Sequence, residues 1–267
     1  MTRRLLRYSL CLALLSCTAP EIKFARQAEA YGLVQSTLQG PRFQHRVYRN
    51  AQVQTQNEIL HIYLGGDGSP WIQHRWIASN PTPRNSFILQ LMQQDTRAAL
   101  FLGRPCYHGL MENPLCRNTL WTDARYGEEV IQAMANAITQ LTQQYAAQKI
   151  VLIGFSGGGT LAVLLSEHVS KLHGLITIAA NLDTTAWTKH HGYSPLFASL
   201  NPMQRPRIPP TIWQLHLAGA KDSNIPRQHI QAFVDKQLNA ELLVFNDYTH
   251  RCCWVDIWPN ILQSIPD

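Results

Sequence analysis

Charge is scarce in this chain: only 15% of its 267 residues are Asp, Glu, Lys or Arg. The formal +6 rests partly on Arg3, Arg4 and Arg7 at the N-terminus, and without them it falls to about +3. Such a modest charge implies no nucleic-acid partner. Internal repeats and low-complexity tracts are absent, so no repeat array is expected. No Cys-x-x-Cys occurs among the six cysteines. The adjacent Cys252 and Cys253 do not give tetrahedral zinc spacing either, so neither a metal nor a cofactor is expected. The N-terminal apolar run, Leu10 to Leu15, is too short to cross a bilayer as a permanent helix. What is left is 45% hydrophobic, enough for the core of one large domain.

The short apolar run has a meaning of its own. Preceded by three arginines, it reads as a secretory signal. Its end, Leu14-Leu15-Ser16-Cys17, resembles the lipobox of bacterial lipoproteins. Residues 1–16 are therefore expected to be a signal peptide, Cys17 the lipidated residue, and 17–42 a tether with some helical character from Ile22 to Tyr31, with packing as an N-terminal helix the alternative. Thr18, rather than an aspartate, follows the cysteine, which points to the outer membrane facing the periplasm. A soluble periplasmic or secreted protein is the alternative. In an oxidising compartment Cys106, Cys116, Cys252 and Cys253 are expected in disulfides. Four cysteines permit three pairings. Local closure favours Cys106–Cys116, with Cys252–Cys253 as a vicinal pair; cross-pairing of the two loops remains the other choice.

The chain is organised around Lys149 to Leu165. Ile150 to Ile153 are four consecutive large apolar residues, as in a strand buried on both faces. Gly154-Phe155-Ser156-Gly157-Gly158 follows, and then a helical pattern with Leu161, Leu164 and Leu165 on one side. No Gly-Lys-Ser/Thr is present, so a phosphate loop lacks its lysine. A serine at a tight strand-to-helix turn, flanked by glycines two positions away, is the nucleophile-elbow pattern. The rest of the chain alternates strand and helix. Strands are expected near 43–49, 58–64, 98–102, 174–180, 211–218 and 241–245, and helices near 86–94, 123–148 and 225–238. A mainly parallel sheet with helices on both faces results.

Two more residues complete a pattern. Asp222 follows the strand Trp213 to Ala218, and His250 follows the last strand, so both fall at the carboxyl edge of the sheet, where open α/β folds bind ligands. Serine, acid and histidine occur in that order, which resembles the α/β-hydrolase superfamily from about Phe43 to the C-terminus. Tyr63-Leu64-Gly65-Gly66-Asp67-Gly68, Trp121-Thr122-Asp123-Ala124-Arg125, Asn181-Leu182-Asp183 with Trp187, and His250-Arg251-Cys252-Cys253-Trp254 resemble a group of exported bacterial α/β-hydrolase lipoproteins.

That resemblance implies an α/β-hydrolase fold over 43–267 and a serine hydrolase acting on an ester, thioester or amide. Ser156 would be the nucleophile, His250 the base and Asp222 its orienting acid. The Gly157 amide, with one from Gly66 or Asp67, would bind the oxyanion. Asp183 is a rival acid, and Asp247 reads as a turn residue. His190 and His191 fall in residues 181–210, a long segment read as a cap whose Trp187, Tyr193 and Phe197 wall the substrate. The expected partner is a small acyl substrate, besides the membrane reached through the lipid anchor. An acyltransferase and a non-catalytic envelope-binding lipoprotein are the competing classes.

Overall fold

The computed structural model describes residues 18–267; the signal-peptide and Cys17 expectations lie outside the described residues. Its centre is an eight-stranded sheet. Six strands run parallel: β3 (Ile59–Leu64), β6 (Ala98–Leu102), β7 (Lys149–Phe155), β8 (Leu172–Ile178), β9 (Trp213–Gly219) and β10 (Ala240–Phe245). Two antiparallel strands, β1 (Val34–Gln39) and β2 (Gln44–Arg49), extend one edge. The spatial order is β1-β2-β6-β3-β7-β8-β9-β10, which puts β7 in the interior. Every residue of β3 and β6 is buried, as expected for strands covered on both faces.

Alternation along the strands builds two cores. Leu60, Ile62, Ile150 and Leu152 face one side, where α3 (Glu128–Gln144), α4 (Gly157–Leu165) and α6 (Arg227–Lys236) contribute Ile131, Leu161 and Phe233. Tyr63, Val151 and Ile153 face the other, against α1 (Pro20–Ala30), α2 (Phe87–Gln93) and α7 (Trp254–Gln263) with its buried Trp254 and Trp258. Of the two readings of 17–42, the described part follows the packed N-terminal helix rather than a free tether. Phe24 and Ala28 of α1 are buried, Phe24 with its ring centroid 5.4 Å from that of Phe101, and β1 pairs along its whole length with β2. Burial of an aromatic ring stabilises this helix against the domain more than its own propensity does.

Residues 181–210 contain helix α5 (Thr184–His191) and a short 3-10 turn rather than a structureless loop. A small separate hairpin, β4 (Trp71–Ile72) with β5 (Trp76–Ile77), stands apart from the main sheet after β3. Among the described residues no helix is long and apolar enough to cross a membrane.

Candidate active site

Ser156 sits between β7 and α4 with φ 53° and ψ −122°, left-handed backbone that a serine adopts only when its surroundings enforce it. They do so here. Its N–H donates to the Ile178 carbonyl (2.8 Å) and its carbonyl accepts the Gly159 N–H (2.9 Å). A β-carbon on Gly154 would strike the backbone of Gly158, and one on Gly158 would strike the Leu64 carbonyl. The glycines are therefore fixed by close backbone approach, and the serine side chain is left half-buried at the carboxyl edge of the sheet.

The sequence-predicted acid and histidine meet it there. His250 Nε2 lies 3.1 Å from Ser156 Oγ, and its Nδ1 lies 2.8 Å from Asp222 Oδ2. The Asp222 carboxylate has no exposure, and its other oxygen accepts the N–H groups of Asn224 (2.8 Å) and Ile225 (2.9 Å). Three donors hold one carboxylate in place, which fixes the imidazole that it orients. The backbone of the histidine is pinned as well, since Trp254 Nε1 donates to the His250 carbonyl. Asp183, the rival acid, instead caps α5 by accepting from the Thr185 and Ala186 N–H groups, and it takes the Asn201 amide. Asp247 forms an exposed ion pair with Lys221. His190 and His191 lie on α5. The His191 ring makes a 2.8 Å hydrogen bond with the Asn224 carbonyl, to which Trp187 also donates.

Beside Ser156 runs the loop after β3. Gly66 packs against Ser156, whose Cβ would lie 3.4 Å from a side chain placed there. Asp67 turns its carboxylate away from the solvent toward Arg104 (2.8 Å), Arg125 (3.1 Å) and the Tyr126 hydroxyl (2.7 and 2.8 Å), while Tyr107 donates to its carbonyl (3.0 Å). Burial pushes the Asp67 carboxyl up, but the two guanidinium charges and the hydrogen bonds outweigh it and hold the group below the usual carboxylate range. Burial pushes the Tyr107 hydroxyl up to about 12. Among the described residues, the N–H groups of Gly66 and Asp67 donate to no acceptor, and Gly157, as the first residue of α4, has none within its helix. Amides without an acceptor thus occur both in the residue after Ser156 and in the loop that packs against it.

A cavity of about 200 Å³ opens at this point, lined by Ser156, His250, Gly66, Asp67, Phe87, Phe155, Trp187 and Asn224. Trp187 of the expected cap does wall it, whereas Phe197 is 88% exposed. Sequence reasoning missed Asn224, whose amide lies 3.2 Å from His250 Nε2, and it missed the Asp67 partners Arg104, Tyr107 and Tyr126. Position 125 belonged to a recognised motif, but nothing in one sequence signals that it meets Asp67. Cys106 and Cys116 approach with their Cα atoms 5.7 Å apart, within disulfide span, and Cys252 and Cys253 begin two residues after His250. Among the described residues no cluster of three His, Cys, Asp or Glu side chains is placed to hold a metal ion.

No family model matches this chain, and no curated sequence is significantly similar to it. Solved structures are. An alpha-beta serine hydrolase homologue from Coxiella burnetii has a TM-score of 0.56 at 14% identity, covering 87% of this chain and 95% of that one. An esterase from Pyrococcus furiosus has a TM-score of 0.60 at 12% identity, covering 88% and 89%. Alpha/beta hydrolase domain-containing protein 10 from mouse has a TM-score of 0.58 at 15% identity, covering 87% and 96%. The fold is the α/β-hydrolase fold.

Proposed function

We propose that the protein is a serine hydrolase that cleaves an ester, thioester or amide through an acyl-enzyme. The observation that carries this reading is the hydrogen-bonded chain Ser156–His250–Asp222 on a strained elbow, beside amides that have no acceptor. His250 Nε2 takes the Ser156 proton as Oγ attacks the carbonyl carbon. Asp222 holds the proton on Nδ1 and stabilises the imidazolium. Negative charge moves to the carbonyl oxygen, which the Gly157 amide and that of Gly66 or Asp67 receive. The imidazolium then gives its proton to the leaving group, and water repeats the sequence to release the acid.

The hydrolases among similar folds add weight to this choice over an acyltransferase or a non-catalytic lipoprotein. We further read the leader and Cys17 as an export signal and lipid anchor, and Cys106–Cys116 as a disulfide that closes the loop carrying Tyr107, two residues after Cys106's neighbour Arg104 is passed in the chain. Labelling by a fluorophosphonate probe tests the enzyme reading. The native protein should react, and Ser156→Ala should not, with hydrolysis of a short-chain aryl ester falling on the order of 10⁴-fold or more. A folded native protein that ignores the probe returns the choice to the binding class.

A further inference from the structure

Ten large apolar side chains are substantially exposed among the described residues, and four of them belong to the β4–β5 hairpin: Trp71 (43%), Ile72 (42%), Trp76 (59%) and Ile77 (40%). Trp71 pairs across the ribbon with Ile77, and Ile72 with Trp76. Successive residues of a strand point to opposite faces, so each face of the ribbon carries one apolar pair. Both faces are open to solvent. A hairpin that leaves about half of each apolar side chain exposed on both faces is a candidate interaction surface.

Its mounting is firm. Ala78 N–H donates to the Pro70 carbonyl, Ser69 N–H to the Pro81 carbonyl, and Trp121 Nε1 to the Ala78 carbonyl, all between 2.9 and 3.0 Å. Its charge has one sign. No Asp or Glu occurs between Asp67 and Asp95, whereas Arg75, Arg84 and His74 do. The Arg75 guanidinium stacks over Trp76 at 5.1 Å. Tryptophan with cationic neighbours suits the boundary between headgroups and acyl chains.

A second observation fixes where this hairpin lies relative to the N-terminus. Asn80, three residues past β5, donates to Glu21 in the first turn of α1 at 2.6 Å. From Glu21 back to Cys17 is a short stretch that spans at most ~14 Å when extended. Any surface that holds an acylated Cys17 is therefore close to the hairpin base.

We propose that the β4–β5 hairpin docks onto a lipid bilayer, the one in which an acyl group on Cys17 would anchor the chain. The proposal rests on the lipid-anchor reading and is independent of the chemistry at Ser156. A bilayer fits better than a protein partner because both faces of a short ribbon carry exposed apolar side chains, its own charged residue is the cation Arg75, and the anchor at Cys17 lies near its base. Glu21 and Asp123 are the carboxylates nearby. Docking would also turn the cavity toward the lipid, since Ser69 and Arg84, on either flank of the hairpin, both line it.

The test uses the full chain on phosphatidylethanolamine–phosphatidylglycerol vesicles doped with a lipid bearing a photoreactive acyl chain. Lipid adducts should map to residues 69–80. The double variant Trp76→Ser/Ile77→Ser should lose those adducts about tenfold, as expected if it forfeits at least ~1.4 kcal/mol of docking, while its far-UV circular dichroism stays native. An acylated native chain that floats with the vesicles but carries no adduct in 69–80 overturns the docking and leaves the anchor reading intact. A native chain that neither floats nor carries an acyl group on Cys17 overturns the anchor reading, and the docking with it.

Discussion

Ser156 occupies a backbone conformation that costs on the order of 1–3 kcal/mol, and the two glycines beside it are fixed by backbone approach rather than flexibility. Those demands are why the site was legible: steric necessity writes itself into local sequence as Gly-x-Ser-x-Gly. The candidate acid was placed by its position at a strand end, and the two aspartates differ in what they touch: Asp222 meets His250, whereas Asp183 caps α5. Asp222→Asn should lower kcat by roughly 10³-fold or more, since the imidazole loses the partner that fixes its tautomer. Asp183→Asn should leave kcat within a few-fold, because an asparagine still caps α5. Steady-state kinetics on an aryl ester, read beside thermal unfolding, decides between them. The Asp67 cluster was not legible, because Arg104, Arg125 and Tyr126 reach it from loops 37 to 59 residues away. It has two consequences. Asp67→Asn leaves two buried guanidinium groups short of their counter-charge, which should cost about 3–5 kcal/mol of stability. If the Asp67 amide also receives the oxyanion, kcat should drop by about 10- to 100-fold with little change in KM, as when a transition-state donor is misplaced. Urea unfolding and Michaelis–Menten analysis check the two effects separately.

Elements were legible in proportion to how fully they are buried. The largely apolar, buried strands β3, β6 and β7 fall within one or two residues of their expected bounds, and so does α2. Helix α3 keeps the expected stripe of Val130, Ile131, Met134, Ala137, Ile138 and Leu141 in the core, but begins at Glu128 rather than near 123. The misses share a cause. Helix α1 is not among them, since it lies within two residues of the expected 22–31, but its docking through Phe24 and Ala28 was not legible. Helix α7 carries Pro259 inside it, and β4 and β5 are two residues each. Such elements are stabilised by what they touch, which a sequence does not display. Phe24 makes the point testable. Its ring packs 5.7 Å from Tyr48, 5.4 Å from Phe101 and 4.4 Å from His108 between ring centroids, and it lines the cavity. Phe24→Ala should destabilise the domain by about 3–5 kcal/mol in urea, as for other aromatic truncations in a packed core. A tether would predict no change, so a midpoint within error of the native one would reinstate it.

At the scale of the whole molecule, low charge leaves acid stability to buried groups. Burial, with the charge of Arg46 adding to it, lowers His108 to about 3; burial alone lowers His216 to about 3. His45 is lowered too, mainly by burial and partly offset by its bond to the Gly103 carbonyl. In the unfolded chain these side chains take up a proton below about pH 6.5. Between that value and the folded pKa the unfolded state binds more protons, so stability must fall as pH falls. Asp67, held below its ordinary range, acts in the same direction: its contribution is present above the unfolded carboxylate pKa and is lost as pH drops through the folded one. Every one of these terms is intact at neutral pH. His216 gives the clearest test, because it lies inside β9, opposite Thr177 of β8, and does not line the cavity at Ser156. Its Nδ1 shares a 2.8 Å hydrogen bond with the Thr177 hydroxyl. His216→Gln keeps a polar partner for that hydroxyl but cannot titrate. The variant should start less stable at pH 7.5, yet lose stability more slowly on acidification, by about 1.4 kcal/mol less per pH unit between pH 6 and 4. Urea midpoints measured across that range give the slope directly. Parallel slopes for native and variant protein would mean that His216 is already protonated in the folded state.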